Sequence, residues 1–244
     1  METQSTSFAA RAGAFLADKI LVIAVVFAVA VGVYMARSAA AEKAVRLPPP
    51  AFDPPAAMSQ QTAIFAGGCF WGVQAVFPHT QGVLNAVSGY AGGSKETANY
   101  QAIGSGTTGH AESVQVTYDP KVISYGKLLQ IYFSVAHDPT QLNRQGPDHG
   151  TQYRSAIFYA DAGQKQVAER YIAQLDAARA YPAKIVTQVA PLTAFYPAEA
   201  YHQDYATLHP TSPYIAVFDL PKIANLKSMM PEVWREEPVS VARK

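Results

Sequence analysis

Thr62-Ala63-Ile64-Phe65-Ala66-Gly67-Gly68-Cys69-Phe70-Trp71-Gly72 is the stretch on which the fold turns. The short apolar run from Thr62 to Ala66 reads as a strand. A glycine pair follows, and from Cys69 to Phe77 the pattern is that of a short helix stopped by Pro78. The glycines let the backbone turn sharply and leave the next side chain uncovered. That side chain is Cys69, the only cysteine in the chain. A thiol at the first turn of a helix lies among unpaired backbone N–H groups and at the positive end of the helix dipole. Both favour the thiolate, which is the nucleophile. A free cysteine is equally often a small buried hydrophobe, and position beside a glycine pair does not separate the two.

Outward from this turn, strands and helices alternate. Val83 to Tyr90 is a second strand, followed by a loop marked by Gly92-Gly93. Glu112 to Tyr118 places Val114, Val116 and Tyr118 on one side, a strand that Asp119-Pro120 ends. Ser124 is set to cap a helix carrying Leu128, Leu129, Tyr132 and Phe133 at helical spacing. His137 to Gln152 is polar and turn-rich, and Arg154 to Ala160 is another strand. Gln164 to Ala180 puts Val167, Tyr171, Ile172 and Leu175 on one helical face. Ile185 to Pro191 reads as a strand and Ala198 to Leu208 as a helix. The order β-α-β-β-α-β-α-β predicts an α+β fold: a two-layer mixed sheet with helices around a split βαβ, ferredoxin-like core.

A chain of 244 residues with 49% apolar composition suffices for one sizeable core plus extensions. The net charge of +1 and the lack of a long basic run give no reason to expect nucleic acid. One cysteine excludes an internal disulfide, a CxxC redox pair and a cysteine zinc site. The six histidines show no HExxH or similar metal spacing, so no bound metal is expected. The folded domain, expected over residues 62–225 as a monomer, is flanked by a charged tail over 226–244 that reads as loosely attached.

Residues 1–37 form a leader containing an uncharged run from Ile20 to Ala36, between Lys19 and Arg37. The run is longer than a usual signal-peptide core and at the short end for a membrane span. No polar face interrupts it, which argues against a core helix. Ala39-Ala40-Ala41 offers a cleavage site, but the polar leader is long for a signal peptide, so an uncleaved anchor through residues 20–36 is favoured. Arg11 and Lys19 before the run and Arg37, Lys43 and Arg46 after it barely discriminate orientation. The leader, run and alanine-rich exit look like an export signal, which puts the domain on the outer, periplasmic face. Secretion after cleavage and an anchor facing the cytoplasm are the alternatives. Residues 38–61, with Pro48-Pro49-Pro50 and Pro54-Pro55, read as a semi-extended spacer.

Three further segments carry more polar and aromatic groups than a core needs: Asn99-Tyr100, Thr108-Gly109-His110-Ala111-Glu112, and Asp148-His149-Gly150-Thr151-Gln152-Tyr153-Arg154. Each alone has a bland account, as a solvated strand end, a core-edge tyrosine or a turn. Taken in order with Gly68-Cys69-Phe70-Trp71-Gly72 and Gly89-Tyr90-Ala91-Gly92-Gly93, they make the region from about Thr62 to about His209 resemble the A-type peptide-methionine sulfoxide reductases. The resemblance implies reduction of the S epimer of methionine sulfoxide, free or in proteins, through a sulfenic acid on cysteine. It implies that Cys69 is the nucleophile and Glu112 the general acid. Tyr100 and Tyr153 would then bind the sulfoxide oxygen, with Asp148 in support. Phe70 and Trp71 would hold the substrate methyl group, with Gly68 and His149 beside them.

The chemistry is consistent with those roles. Attack of a thiolate on the sulfur of a sulfoxide drives charge onto oxygen, which needs donors aimed at it and then a proton. Glu112 can supply the proton if partial desolvation keeps it protonated. Many family members resolve the sulfenic acid with further cysteines, and this chain has none. Recycling therefore falls to an external thiol: thioredoxin, glutaredoxin or a small thiol. Two rivals stand beside this reading. One is a papain-like cysteine protease pairing Cys69 with His202 or His209. The other is a non-catalytic, membrane-tethered thiol sensor.

Overall fold

The computed structural model describes residues 42–55 and 60–241. The proposed anchor through residues 20–36 lies outside them. Among the described residues no helix is long and apolar enough to cross a membrane.

Strand β1 (Gln61–Ala66) runs into the glycine pair and then helix α1 (Phe70–Val76). There follow β2 (Val83–Ala91), β3 (Ala111–Tyr118), α2 (Tyr125–Ile131), β4 (Ala156–Tyr159), α3 (Ala162–Ala177), β5 (Gln188–Pro191), β6 (Phe195–Pro197) and α4 (Leu220–Met229). The six strands form one sheet in the order β5-β4-β1-β3-β2-β6. β1 is antiparallel to both β3 and β4, and β2 to both β3 and β6. β4 and β5 are the parallel pair, and α3 makes the crossover that parallel strands need. The fold is thus a mixed sheet with helices, of the α+β class.

Alternation along β1 sends Ala63 and Phe65 to one face and Ile64 and Ala66 to the other. The first face carries the main core, built with Val73 and Val76 of α1, Leu128 and Leu129 of α2, and Val167, Tyr171 and Leu175 of α3. The second face is covered thinly, by Ala91, Ala111, Ala156 and Phe158 with Leu192 and Phe195. Ser124 caps α2 by accepting the Lys127 N–H at 3.0 Å. Asp161 caps α3 by accepting the Gln164 N–H at 2.8 Å.

Three segments differ from expectation. Ala198–Leu208 is not one helix: strand β6 leads into a 3₁₀ turn at Ala200–His202 and a separate helical turn at Tyr205–Leu208. Between them Asp204 adopts φ 53°, which no helix continues through. The Gln203 side chain fixes this break, accepting the Ser88 N–H and donating to the carbonyls of Ser88 and Ala198. The tail after Leu226 is not loose either. Leu226 and Met230 are core residues, and the Arg235 and Val239 amides donate to His79 O and Pro78 O at 2.7 and 3.2 Å. Nor are residues 42–55 a free spacer. They lack secondary structure, as proline runs must, but Leu47 is buried and side chains of α2 and α3 take the proline-run carbonyls. Gln130 Nε2 donates to Leu47 O at 2.7 Å and the Tyr171 hydroxyl to Pro48 O at 2.7 Å.

Candidate functional site

Gly68, at φ +86°, makes the turn between β1 and α1; a side chain there would be strained and would also strike Gln145. Cys69 is the N-cap residue of α1 and is partly exposed. Its side chain does not cap the helix, and the first orphan donor goes elsewhere. The Phe70 N–H donates to Glu112 Oε2 at 2.9 Å, joining the second residue of β3 to the start of α1.

Glu112 is 2% exposed, and its carboxyl is pushed up to about 8, above all by burial. The Phe70 N–H opposes the shift, while Asp148 and Asp219 add to it. At neutral pH the group is therefore a carboxylic acid with a proton to give. The Cys69 thiol also differs from expectation. Burial raises it well above its ordinary value, followed by Glu112 and Asp219, and the helix-start N–H only partly offsets them. The helix terminus alone does not make this sulfur a thiolate.

Tyr100 opens a single helical turn capped by Asn99, and its amide donates to Glu199 Oε1 at 3.0 Å. Tyr153 closes a 3₁₀ turn after the hairpin Arg144–Gln145/Asp148–His149. Both phenols are raised, first by burial, and both lie within electrostatic reach of Glu112 and Cys69. Asp148 joins them through its charge, with Oδ2 accepting the Tyr214 hydroxyl. His149 is exposed on the hairpin opposite Arg144.

The aromatic pair divides. Phe70 is 1% exposed and packs with Tyr90 and His202 at ring separations of 5.9 and 5.0 Å, as a core residue. Trp71 stays partly exposed inside an aromatic cage. Tyr205 stacks on it at 3.9 Å, Tyr214 meets it edge-on at 6.3 Å, and its indole N–H donates to His202 Nδ1 at 3.2 Å. Glu199 lies between the cage and Tyr100, with Oε2 3.9 Å from His202 Nε2 and accepting the Tyr90 hydroxyl at 2.8 Å, and Oε1 accepting the Tyr100 amide. Glu199, Tyr205, Tyr214, Asp219 and Lys222 carried no signal in the sequence. Glu199 and Tyr205 fall within the helix expected at Ala198–Leu208 and the other three beyond it, and no short spacing links them to Cys69. No hydrogen bond joins Cys69 to either histidine of the protease pairing: His202 Nδ1 accepts the Trp71 indole N–H, and the His209 ring lies 4.4 Å from that of Tyr205, tilted by 40°.

A lone thiol, a carboxylic acid held neutral beside it, two phenols and an aromatic wall define a thiol-based oxidoreductase site on an α+β sheet. Comparison with known proteins agrees. The profile of the peptide methionine sulfoxide reductase family matches residues 61–233. A relative from Mesorhizobium japonicum, peptide methionine sulfoxide reductase MsrA 2, is 62% identical over 78% of this chain and 97% of its own length. The MsrA 2 of Synechocystis is 52% identical over 70% and 80%. Among solved structures, methionine sulfoxide reductase A of Corynebacterium diphtheriae is similar with a TM-score of 0.55 at 34% identity, covering 70% of this chain and 89% of that one. Reduced Mxr1 of Saccharomyces cerevisiae is similar with a TM-score of 0.59 at 32% identity, covering 66% and 92%. The chain belongs to the peptide methionine sulfoxide reductase family.

Proposed function

We propose that this protein reduces the S epimer of methionine sulfoxide, free or within oxidised proteins, with Cys69 as nucleophile and Glu112 as general acid. The observation that carries this is the Glu112 carboxyl, fixed on the Phe70 N–H next to Cys69 and kept protonated to about pH 8. The Cys69 thiolate attacks the sulfoxide sulfur while the S–O oxygen accumulates charge. Tyr100 and Tyr153 donate to that oxygen and Glu112 protonates it. Asp148 supports the phenols' field, Gly68 leaves the sulfur uncovered, and His149 balances Asp148. Trp71 forms the wall for the substrate methyl group, with Phe70 behind it.

Breakdown transfers the oxygen to Cys69, leaving a thioether and a sulfenic acid. The substrate sulfur is reduced and the cysteine sulfur oxidised by two electrons. An external thiol then forms a mixed disulfide with Cys69 and releases water. A second thiol restores Cys69 and leaves as the disulfide. Thioredoxin, glutaredoxin and small thiols all fit that chemistry. We read the inner strands β4-β1-β3-β2 as a split βαβ core, residues 62–225 as the catalytic domain of a monomer, and residues 20–36 as an anchor holding it on the periplasmic side. Alkaline extraction of membranes carrying the full-length protein tests the anchor: release into the soluble fraction excludes it.

The reaction scheme is tested without added reductant. The protein should then release one methionine per chain and gain one oxygen in mass, because no second cysteine is present to form an internal disulfide. Added thiol should restart turnover at a rate that rises with its concentration. More than one methionine per chain without thiol would overturn the scheme.

A further inference from the structure

Three charged side chains that the reaction scheme does not use meet beside the first turn of α1. Lys222, on α4, is buried, with Nζ 3.4 Å from Glu42 Oε2 and 3.6 Å from Asp219 Oδ1. Asp219 is fully buried, and neither carboxylate oxygen has a hydrogen-bond partner. Glu42 receives a hydrogen bond from Gln145 Nε2. Buried ions such as these are costly to desolvate, and an apolar replacement of similar volume is often no less stable. A role beyond stability therefore has to account for them.

Their position relative to Cys69 supplies one. Cys69 is the N-cap residue of α1 and Gly72 occupies the third helical position. In a capping box the side chain at that position reaches back to the N-cap residue. Gly72 has no side chain, and a Cβ placed there would lie 2.1 Å from Asp219 Oδ1 and 2.8 Å from Lys222 Nζ. A charged pair from a different part of the chain fills the space from which that side chain would face the cysteine. Taking Cys69 as the reacting sulfur, as argued above, we propose that Lys222 is a positioning residue whose ammonium, held against the first turn of α1 by Asp219 and Glu42, favours the thiolate of Cys69.

The surrounding groups make that cation necessary. Cys69 faces Glu112 from β3, Asp148 from the hairpin and Asp219 from before α4, all of which oppose ionisation. The phenols of Tyr100, Tyr153 and Tyr214 share the same field. Lys222 faces Glu42, Asp219 and Cys69, and its charge reaches Asp148 and His137. Burial pulls the ammonium down, but Glu42, Asp219 and Cys69 together raise it above its usual value, so it stays charged. Burial pushes Asp219 up to about 6, with Lys222 opposing, so at the pH of the assay below it is a carboxylate that holds the ammonium in place and itself opposes the thiolate.

The single cysteine permits a direct test. Below its midpoint, the alkylation rate of the full-length protein by iodoacetamide is proportional to the Cys69 thiolate fraction, and no sulfoxide is involved. An opposite charge within about 4–6 Å shifts a pKa by about one to three units, so if the ammonium acts on Cys69 as proposed, Lys222→Met should slow alkylation at pH 8 by about tenfold or more. Lys222→Arg should keep the wild-type rate, and Glu42→Gln, which removes an anion, should raise it. An unchanged rate in Lys222→Met with a native circular dichroism spectrum overturns the proposal. If that variant does not fold, Glu42→Gln decides: a faster rate supports the proposal, and an unchanged or slower one overturns it. Failure of sulfoxide turnover in a protein whose alkylation still depends on Lys222 would count against the reductase assignment alone, so the two failures are separable.

Discussion

Two regions build this site in different ways. Residues 67–72 and the start of β3 bring Cys69 and Glu112 together through one backbone hydrogen bond, Phe70 N–H to Glu112 Oε2. Residues 199–222 contribute no group to the bond-making step proposed above. They surround it: His202, Tyr205 and Tyr214 enclose Trp71, Tyr214 holds Asp148, and Asp219 with Lys222 press on the turn after Cys69. In the proposed scheme one region carries the reacting groups and the other sets their environment. The difference predicts a hierarchy of effects, and each step of it is measurable.

Cys69→Ser should abolish methionine formation, because no other thiol is present to accept oxygen. Turnover above the uncatalysed background would mean that another residue is the nucleophile. Glu112→Gln should slow single turnovers by about a hundredfold or more while substrate binding changes little, as expected for a group needed only as charge reaches oxygen. Near-normal single-turnover rates in that variant would remove Glu112 from the acid's role.

The raised carboxyl also dictates a pH signature. The reactive state needs a thiolate and a protonated Glu112, and the thiol lies well above its ordinary value while the acid lies at about 8. Single-turnover rates should climb by about tenfold per pH unit and level off near pH 8, where gain of thiolate and loss of acid cancel. In Glu112→Gln the break near pH 8 should vanish and the climb continue. Stability follows the same group in the other direction. An acid raised from 4.5 to about 8 on folding binds its proton more tightly when folded, so its stabilising contribution is present at low pH and is lost as pH rises from about 4.5 through 8. Melting temperatures of wild type and Glu112→Gln should therefore diverge across that window, with wild type losing ground.

The same contrast explains what the sequence could reveal. The turn at Gly67-Gly68 and the alternation of Ala63, Ile64, Phe65 and Ala66 are local signals, and β1 and α1 fall where they were expected. Cys69, Glu112, Tyr100, Tyr153 and Asp148 lie in short motifs, and the other four are within electrostatic reach of the Tyr153 phenol. The second region has no such local code. Ala198–Leu208 has helical composition, but Gln203 binds β2 and Asp204 turns left-handed, so tertiary bonds override propensity. Asp219 and Lys222 sit three apart and resemble a solvated surface pair on a helix, and only the buried packing of α4 shows otherwise.

Phe70 and Trp71 sharpen the comparison within two adjacent residues. Phe70→Ala should cost about 3–5 kcal/mol of stability, as a core ring does, with its effect on catalysis following from that loss. Trp71 is partly exposed, and its alanine variant should raise the Michaelis constant more than it lowers the melting temperature. The reverse order would make Trp71 a core residue and leave the substrate methyl group without its wall.

The smallest effect expected is the most direct test of the division itself. Tyr214 belongs to the second region, meets the edge of Trp71 in the first, and donates its hydroxyl to Asp148 on the hairpin. Tyr214→Phe keeps the ring and removes the hydroxyl, so packing on Trp71 survives and Asp148 loses its donor. Burial already raises the Asp148 carboxyl, and the Tyr214 hydroxyl opposes that rise. Without it Asp148 holds its proton to higher pH and one negative charge beside Cys69 and Glu112 weakens. A hydrogen bond to a charged group is worth about 1.5–3 kcal/mol, and water can replace part of it here because the carboxylate is only partly buried. The expected outcome is a change in single-turnover rate of about tenfold or less, with the melting temperature nearly unchanged. If Tyr214→Phe instead lost as much rate as Glu112→Gln, the phenol would be donating to the reacting oxygen itself. The second region would then carry a reacting group, and the division between the two would fail.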